Sequence, residues 1–152
     1  MILKKVVVVV LTFLLFSSCG GDDDSNCHLV DCAGFPALGF EIILNDENVF
    51  TKGDYTLQDV SIEGDQSDKV QPFLAPIYSV NKFNILVLEI KITDEGSHEL
   101  TVNLADDFLM DINLNVALSP SGGCCGGIPY LTQAEINGEE YGSNPFFTIT
   151  LD

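Results

Sequence analysis

This sequence predicts an all-β domain, an antiparallel immunoglobulin-like β-sandwich of about seven to nine strands, with a small closed β-barrel as the alternative. Three observations carry that expectation. Apolar and polar residues alternate along most of the chain after Gly39, and Gly, Asn, Asp and Pro punctuate the alternating runs. No window holds an amphipathic helix of ~10 or more residues. The chain has 152 residues and is 46% hydrophobic, enough for a single core and against global disorder.

Lys4 and Lys5 precede an apolar run from Val6 to Phe16, followed by Ser17, Ser18 and Cys19. A basic start, a short apolar stretch and small residues at a processing point make residues 1–18 a secretory signal peptide. The run is too short to span a bilayer, which takes ~20 residues. Small residues before a Cys form the lipoprotein pattern, which makes Cys19 the lipidated first residue of the exported chain. Residues 19–26 then form an acidic, flexible tether, Gly20-Gly21-Asp22-Asp23-Asp24-Ser25 at its heart. This leader, Cys and acidic stretch resemble the start of Bacteroidetes surface lipoproteins. The resemblance covers only about residues 1–26 and implies an outer membrane lipoprotein, with the cell surface favoured over the periplasmic face. Residues 27–152 remain as one β-sandwich domain.

The strands follow in order. Phe40 to Leu44, Val49 to Thr51, Tyr55 to Ile62 and Ile77 to Val80 are short apolar runs; the third slips phase by one residue, which predicts a bulge near Asp59. Ile85 to Ile92 is apolar on both faces and reads as a central strand. Asp94-Glu95-Gly96 turns the chain into the alternation Leu100, Val102, Leu104, and Phe108 to Leu118 keeps one face apolar throughout. Tyr130 to Ile136 leads into Asn137-Gly138, the dipeptide of a two-residue type I′ hairpin. Phe147, Ile149 and Leu151 close the set.

Four cysteines remain after Cys19: Cys27, Cys32, Cys124 and Cys125. An even number in an exported chain predicts disulfides. A bond between adjacent Cys124 and Cys125 lies outside ordinary Cα separations. Two pairings stay open, 27–124 with 32–125 or the crossed set. Zinc, with His28 as an extra ligand, fits the adjacent cysteines badly, and the absence of Cys-x-x-Cys argues against redox chemistry.

Charge narrows the partners. There are 23 acidic residues against six basic, all Lys, for a net charge of −17. Nucleic acid is thereby excluded, and without Arg there is no bidentate clamp for phosphate or carboxylate. Neither His28 nor His98 has a partner the sequence can nominate, and the motifs of Ser hydrolases and zinc proteases are missing. No cofactor is expected beyond a structural calcium ion. Its possible ligands are Asp106 and Asp107 with Asp111, Asn45 to Asn48, and Asp65 with Asp68, all in or beside turns; Asp106 and Asp107 are the first to test, because they lie in a tight connection between two strands. The chain is therefore read as a non-enzymatic surface lipoprotein with a sandwich interaction module, bound to the membrane through its lipid. One alternative is a calcium-dependent glycan-binding module of a surface polysaccharide system, using aromatics among Phe50, Tyr55, Tyr78, Tyr130 and Tyr141. The other is a hydrolase using paired carboxylates.

Overall fold

Alternating side chains can bury only one face of a strand, so two sheets must close on each other, and here they do. The computed structural model describes residues 32, 34–77, 82–105, 107–121, 124–141 and 146–151. Ten strands occur among them: β1 (Ala37–Leu44), β2 (Glu47–Asn48), β3 (Val60–Gly64), β4 (Val70–Ile77), β5 (Lys82–Ile90), β6 (Gly96–Leu104), β7 (Phe108–Leu118), β8 (Pro129–Ile136), β9 (Glu139–Tyr141) and β10 (Phe146–Leu151). The first sheet runs β10-β1-β5-β4, with β2 paired to β1; the second runs β3-β6-β7-β8-β9.

The expected all-β sandwich is thus the fold. All strand pairs are antiparallel except β1 with β10, which run parallel from Gly39 opposite Phe146 to Leu44 opposite Leu151. The strand number exceeds seven to nine because β2 and β9 are hairpin arms of two and three residues. Strands β6 to β9 form a meander, an order different from the ABED and CFG sheets of an immunoglobulin constant domain.

The core lies between the sheets. Leu38, Phe40, Ile42, Leu86, Leu88 and Ile90 face Leu100, Val102, Met110, Ile112 and Leu114, all buried. Phe147 of β10 stacks on Phe40 at 5.2 Å between ring centroids and meets the edge of Tyr141 at 4.7 Å. Strand β5 is interior to its sheet, as its two apolar faces predict, and Ile85 is buried on the face away from the main core cluster.

Several segments differ from the alternation, each for a local reason. Val49 to Thr51 is not a strand but part of a single helical turn, α1 (Val49–Lys52). The Asn48 side chain accepts from the N–H groups of Phe50 and Thr51, and Gly53 ends the turn at φ 85°. The expected bulge near Asp59 is a 3₁₀ turn, Leu57–Asp59, in which the Asp59 carboxylate accepts from both the N–H and the hydroxyl of Thr56. Only Val60–Gly64 of that region pairs as strand. Strand β4 covers Val70–Ile77, upstream of the expected start at Ile77, and residues 78–80 lie outside the described residues.

Candidate functional site

The sandwich has two ends, and the sequence sends different chemistry to each. Strand β1 begins, β7 finishes and β8 begins at one end; β1 and β10 finish and β7 begins at the other. Strand β7 alone, with 11 residues, separates the ends by about 35 Å.

Cys32 and Cys125 are disulfide-bonded across 93 residues at the first end. Of the two pairings left open by the sequence, this bond belongs to the one that joins 32 to 125. Cys124 is disulfide-bonded as well. Cys27, Cys19 and His28 lie outside the described residues.

At the second end a cleft of about 390 Å³ opens between the sheets, lined by Leu44, Tyr55, Asp107, Phe108, Thr150 and Leu151. Helical turn α1 and the 3₁₀ turn after it deliver Tyr55, whose N–H reaches back to the carbonyl of Val49 at 3.4 Å. Asp107 comes from the β6–β7 connection. Its N–H donates to the Leu104 carbonyl at 3.0 Å, and the Ala105 N–H donates to the Asp59 carbonyl at 2.8 Å, which locks the two connections together. The Tyr55 hydroxyl donates to Asp107 Oδ2 at 3.0 Å. That hydrogen bond first, then partial burial and the charges of Asp107, Asp54 and Asp59, holds the Tyr55 phenol protonated above its ordinary pKa. The cleft therefore offers an aromatic ring hydrogen-bonded to a carboxylate, with apolar walls and Thr150 among its lining residues.

The residues singled out for calcium separate. Asp107 is engaged by Tyr55, while Asp111 sits four positions along, about 13 Å away in extended chain, accepting from the Thr101 hydroxyl at 2.9 Å. Asp106 lies outside the described residues. Asn45 and Asp46, both at positive φ, form the tight turn between β1 and β2. Asp68 pairs with Lys69 at 3.1 Å. Among the described residues no three His, Cys, Asp or Glu side chains group so as to hold a metal ion.

His98, for which the sequence nominates no partner, has two in the fold. It is 4% exposed, with Nδ1 3.0 Å from Asp65 Oδ2 and Nε2 2.9 Å from the Asp94 carbonyl oxygen. Both neighbours are acceptors, so the ring satisfies both only as an imidazolium. Burial pushes its pKa down, but the Asp65 hydrogen bond, the Asp94 carbonyl and the charges of both aspartates outweigh burial and raise it. With both nitrogens occupied, the His98 ring has no free nitrogen to offer a substrate.

Carboxylates also meet on the outer face of the second sheet, where Glu99, Asp111 and Glu135 line an open groove of about 350 Å³. Glu99 and Asp111 are exposed and Glu135 is half-buried. Of the aromatics singled out from sequence, Phe50 is core, Tyr141 packs on the core, Tyr130 is exposed at the stapled end, and Tyr78 lies outside the described residues.

The fold and cleft define a disulfide-stapled β-sandwich with a small amphipathic recess at one end. Comparison with family models, with curated proteins and with solved structures found no match. Among the described residues no helix is long and apolar enough to cross a membrane.

Proposed function

We propose that this chain is a non-enzymatic outer membrane lipoprotein, anchored through acylated Cys19 and displayed at the cell surface, whose sandwich binds an uncharged glycan in the Tyr55–Asp107 cleft. The observation that carries this reading is the Tyr55–Asp107 hydrogen bond in a cleft at the end opposite the stapled entry of the chain. A tether at one end leaves the other free to meet ligand. Apolar walls with a few convergent polar groups suit a small amphipathic ligand. The rings of Tyr55 and Phe108 can pack against the C–H face of a sugar, while Asp107 accepts from its hydroxyls. With a net charge of −17 and no Arg, the chain repels acidic saccharides and favours neutral ones.

A glycan array probed with the purified exported chain tests this. Binding to a neutral glycan is expected. It should weaken about tenfold or more in Tyr55→Ala and in Asp107→Ala, the loss of about 1.4 kcal/mol. No glycan bound, or binding indifferent to both substitutions, contradicts the reading.

Calcium dependence is the second reading; of the described candidates Asp107 and Asp111, only Asp107 lines the cleft. An ion bound only by the folded chain raises its melting temperature by mass action. A rise of several degrees in millimolar calcium supports the second reading, and an unchanged melting temperature removes it.

A further inference from the structure

The stapled end has a second cleft, of about 360 Å³, lined by residues that include Pro36, Cys125, Ile128, Pro129 and Tyr130, none of them charged. Two aromatics beside it face water: Phe35 is 44% exposed and Tyr130 47%. The sequence here departs from the rest of this acidic chain. From Ile112 to Ala134 it contains no Asp, Glu, Lys or Arg, and the same holds from Cys32 to Phe40. These two uncharged segments are the ones the Cys32–Cys125 disulfide joins. Charges rim this cleft without lining it: Glu89, the register partner of Ala37, pairs with Lys91 at 2.9 Å, and Glu95 accepts the Leu118 N–H at 3.2 Å; Asp68 with Lys69 and Asp65 with His98 pair elsewhere at this end.

We propose that this uncharged corner docks on the lipid surface, with Phe35 and Tyr130 as interfacial side chains, so that the anchored domain stands end-on with the Tyr55–Asp107 cleft pointing outward. The proposal rests on the lipid-anchored reading above. Cys32 follows Cys19 by 13 residues, a contour of at most about 45 Å, and Cys32 is fixed at this corner by its disulfide. A short tether holds this end near the bilayer at high effective concentration, so modest apolar contact is enough to seat it. Tyrosine suits the boundary because its ring is apolar and its hydroxyl can stay wet. End-on seating also stands the acidic face bearing Glu63, Glu99 and Asp111 upright in water, away from lipid phosphates.

The chain contains no Trp, so a single introduced one reports alone. The acylated full chain carrying Phe35→Trp, Tyr130→Trp or Leu109→Trp is reconstituted in phosphatidylcholine vesicles with plain or brominated acyl chains. Leu109 is 61% exposed and lies at the opposite end. Interfacial groups sit roughly 5–10 Å into the headgroup and acyl boundary, so bromine should cut emission about twofold for Phe35→Trp and Tyr130→Trp and leave Leu109→Trp unchanged. Equal emission from all three in both vesicle types, with the protein floating alongside the vesicles, overturns docking and leaves the anchor intact. Protein that fails to float with vesicles removes the anchor, and docking falls with it. Emission equally blue-shifted without vesicles assigns the corner to a protein contact and also overturns the proposal.

Discussion

His98 shows how much a single residue can decide. It belongs to the inward-facing set of β6 with Leu100, Val102 and Leu104, where a polar ring is costly unless both nitrogens find partners. They do, and the two partners come from the turns after β3 and after β5, so the ring ties three segments. Gln66 Nε2 donates to Asp94 Oδ2 at 2.7 Å and joins the same corner. Because the folded pKa is raised, the stabilisation is complete below the unfolded value of ~6.5 and is lost as pH rises through the folded value. Asp65 is largely exposed, so solvent screens part of the ion pair. Replacing the ring by His98→Leu should cost about 1–3 kcal/mol at pH 6. The gap in melting temperature between wild type and variant should narrow steadily toward pH 9. A gap that does not change with pH contradicts the imidazolium. The same scale shows what sequence could not supply: Tyr55 and Asp107 were each singled out, yet they are 52 residues apart and only the locked connections bring them together.

At the scale of elements, period two located β6, β7, β8 and β10 to within a residue or so, because each has one wet face and one dry face. It failed where another force governs. Pro72 and Pro76 break the alternation of β4, and they are tolerated because β4 is an edge of its sheet. Val49 and Phe50 are buried, but the Asn48 cap and Gly53 wind them into α1 instead of extending them. The Asn137-Gly138 turn was fully legible: both residues have positive φ, at 51° and 81°, and Ile136 pairs with Glu139. Two glycines then separate two kinds of constraint. Gly138 has open space around it, so Gly138→Ala meets only the backbone cost of positive φ, about 1–2 kcal/mol. At Gly64 an added Cβ would overlap the Glu99 carbonyl oxygen, part of the β3–β6 pairing, and φ is 113°. Gly64→Ala should therefore destabilise clearly more than Gly138→Ala in urea titrations. Equal midpoints would show that β3 shifts away at little cost.

For the whole molecule, the organising feature is polarity along the strands: a stapled, uncharged entry corner at one end, and an aromatic and acidic cleft at the other. The acidic composition was legible in the sequence, while the cleft depends on which connections meet at the far end. The Cys32–Cys125 bond closes a loop of 93 residues, worth about 4–5 kcal/mol in the chain-entropy model. That is a large share of the 5–15 kcal/mol typical of a domain. The Cys32→Ser/Cys125→Ser double variant should accordingly melt far lower than the oxidised chain, by an amount that reduction of the wild type reproduces or exceeds. The most direct measurement of the account is non-reducing mass spectrometry of the protein taken from its native membranes. The account predicts a peptide pair linked through Cys32 and Cys125 and an N-terminal peptide beginning at acylated Cys19. An intact leader with free thiols at positions 32 and 125 would contradict it.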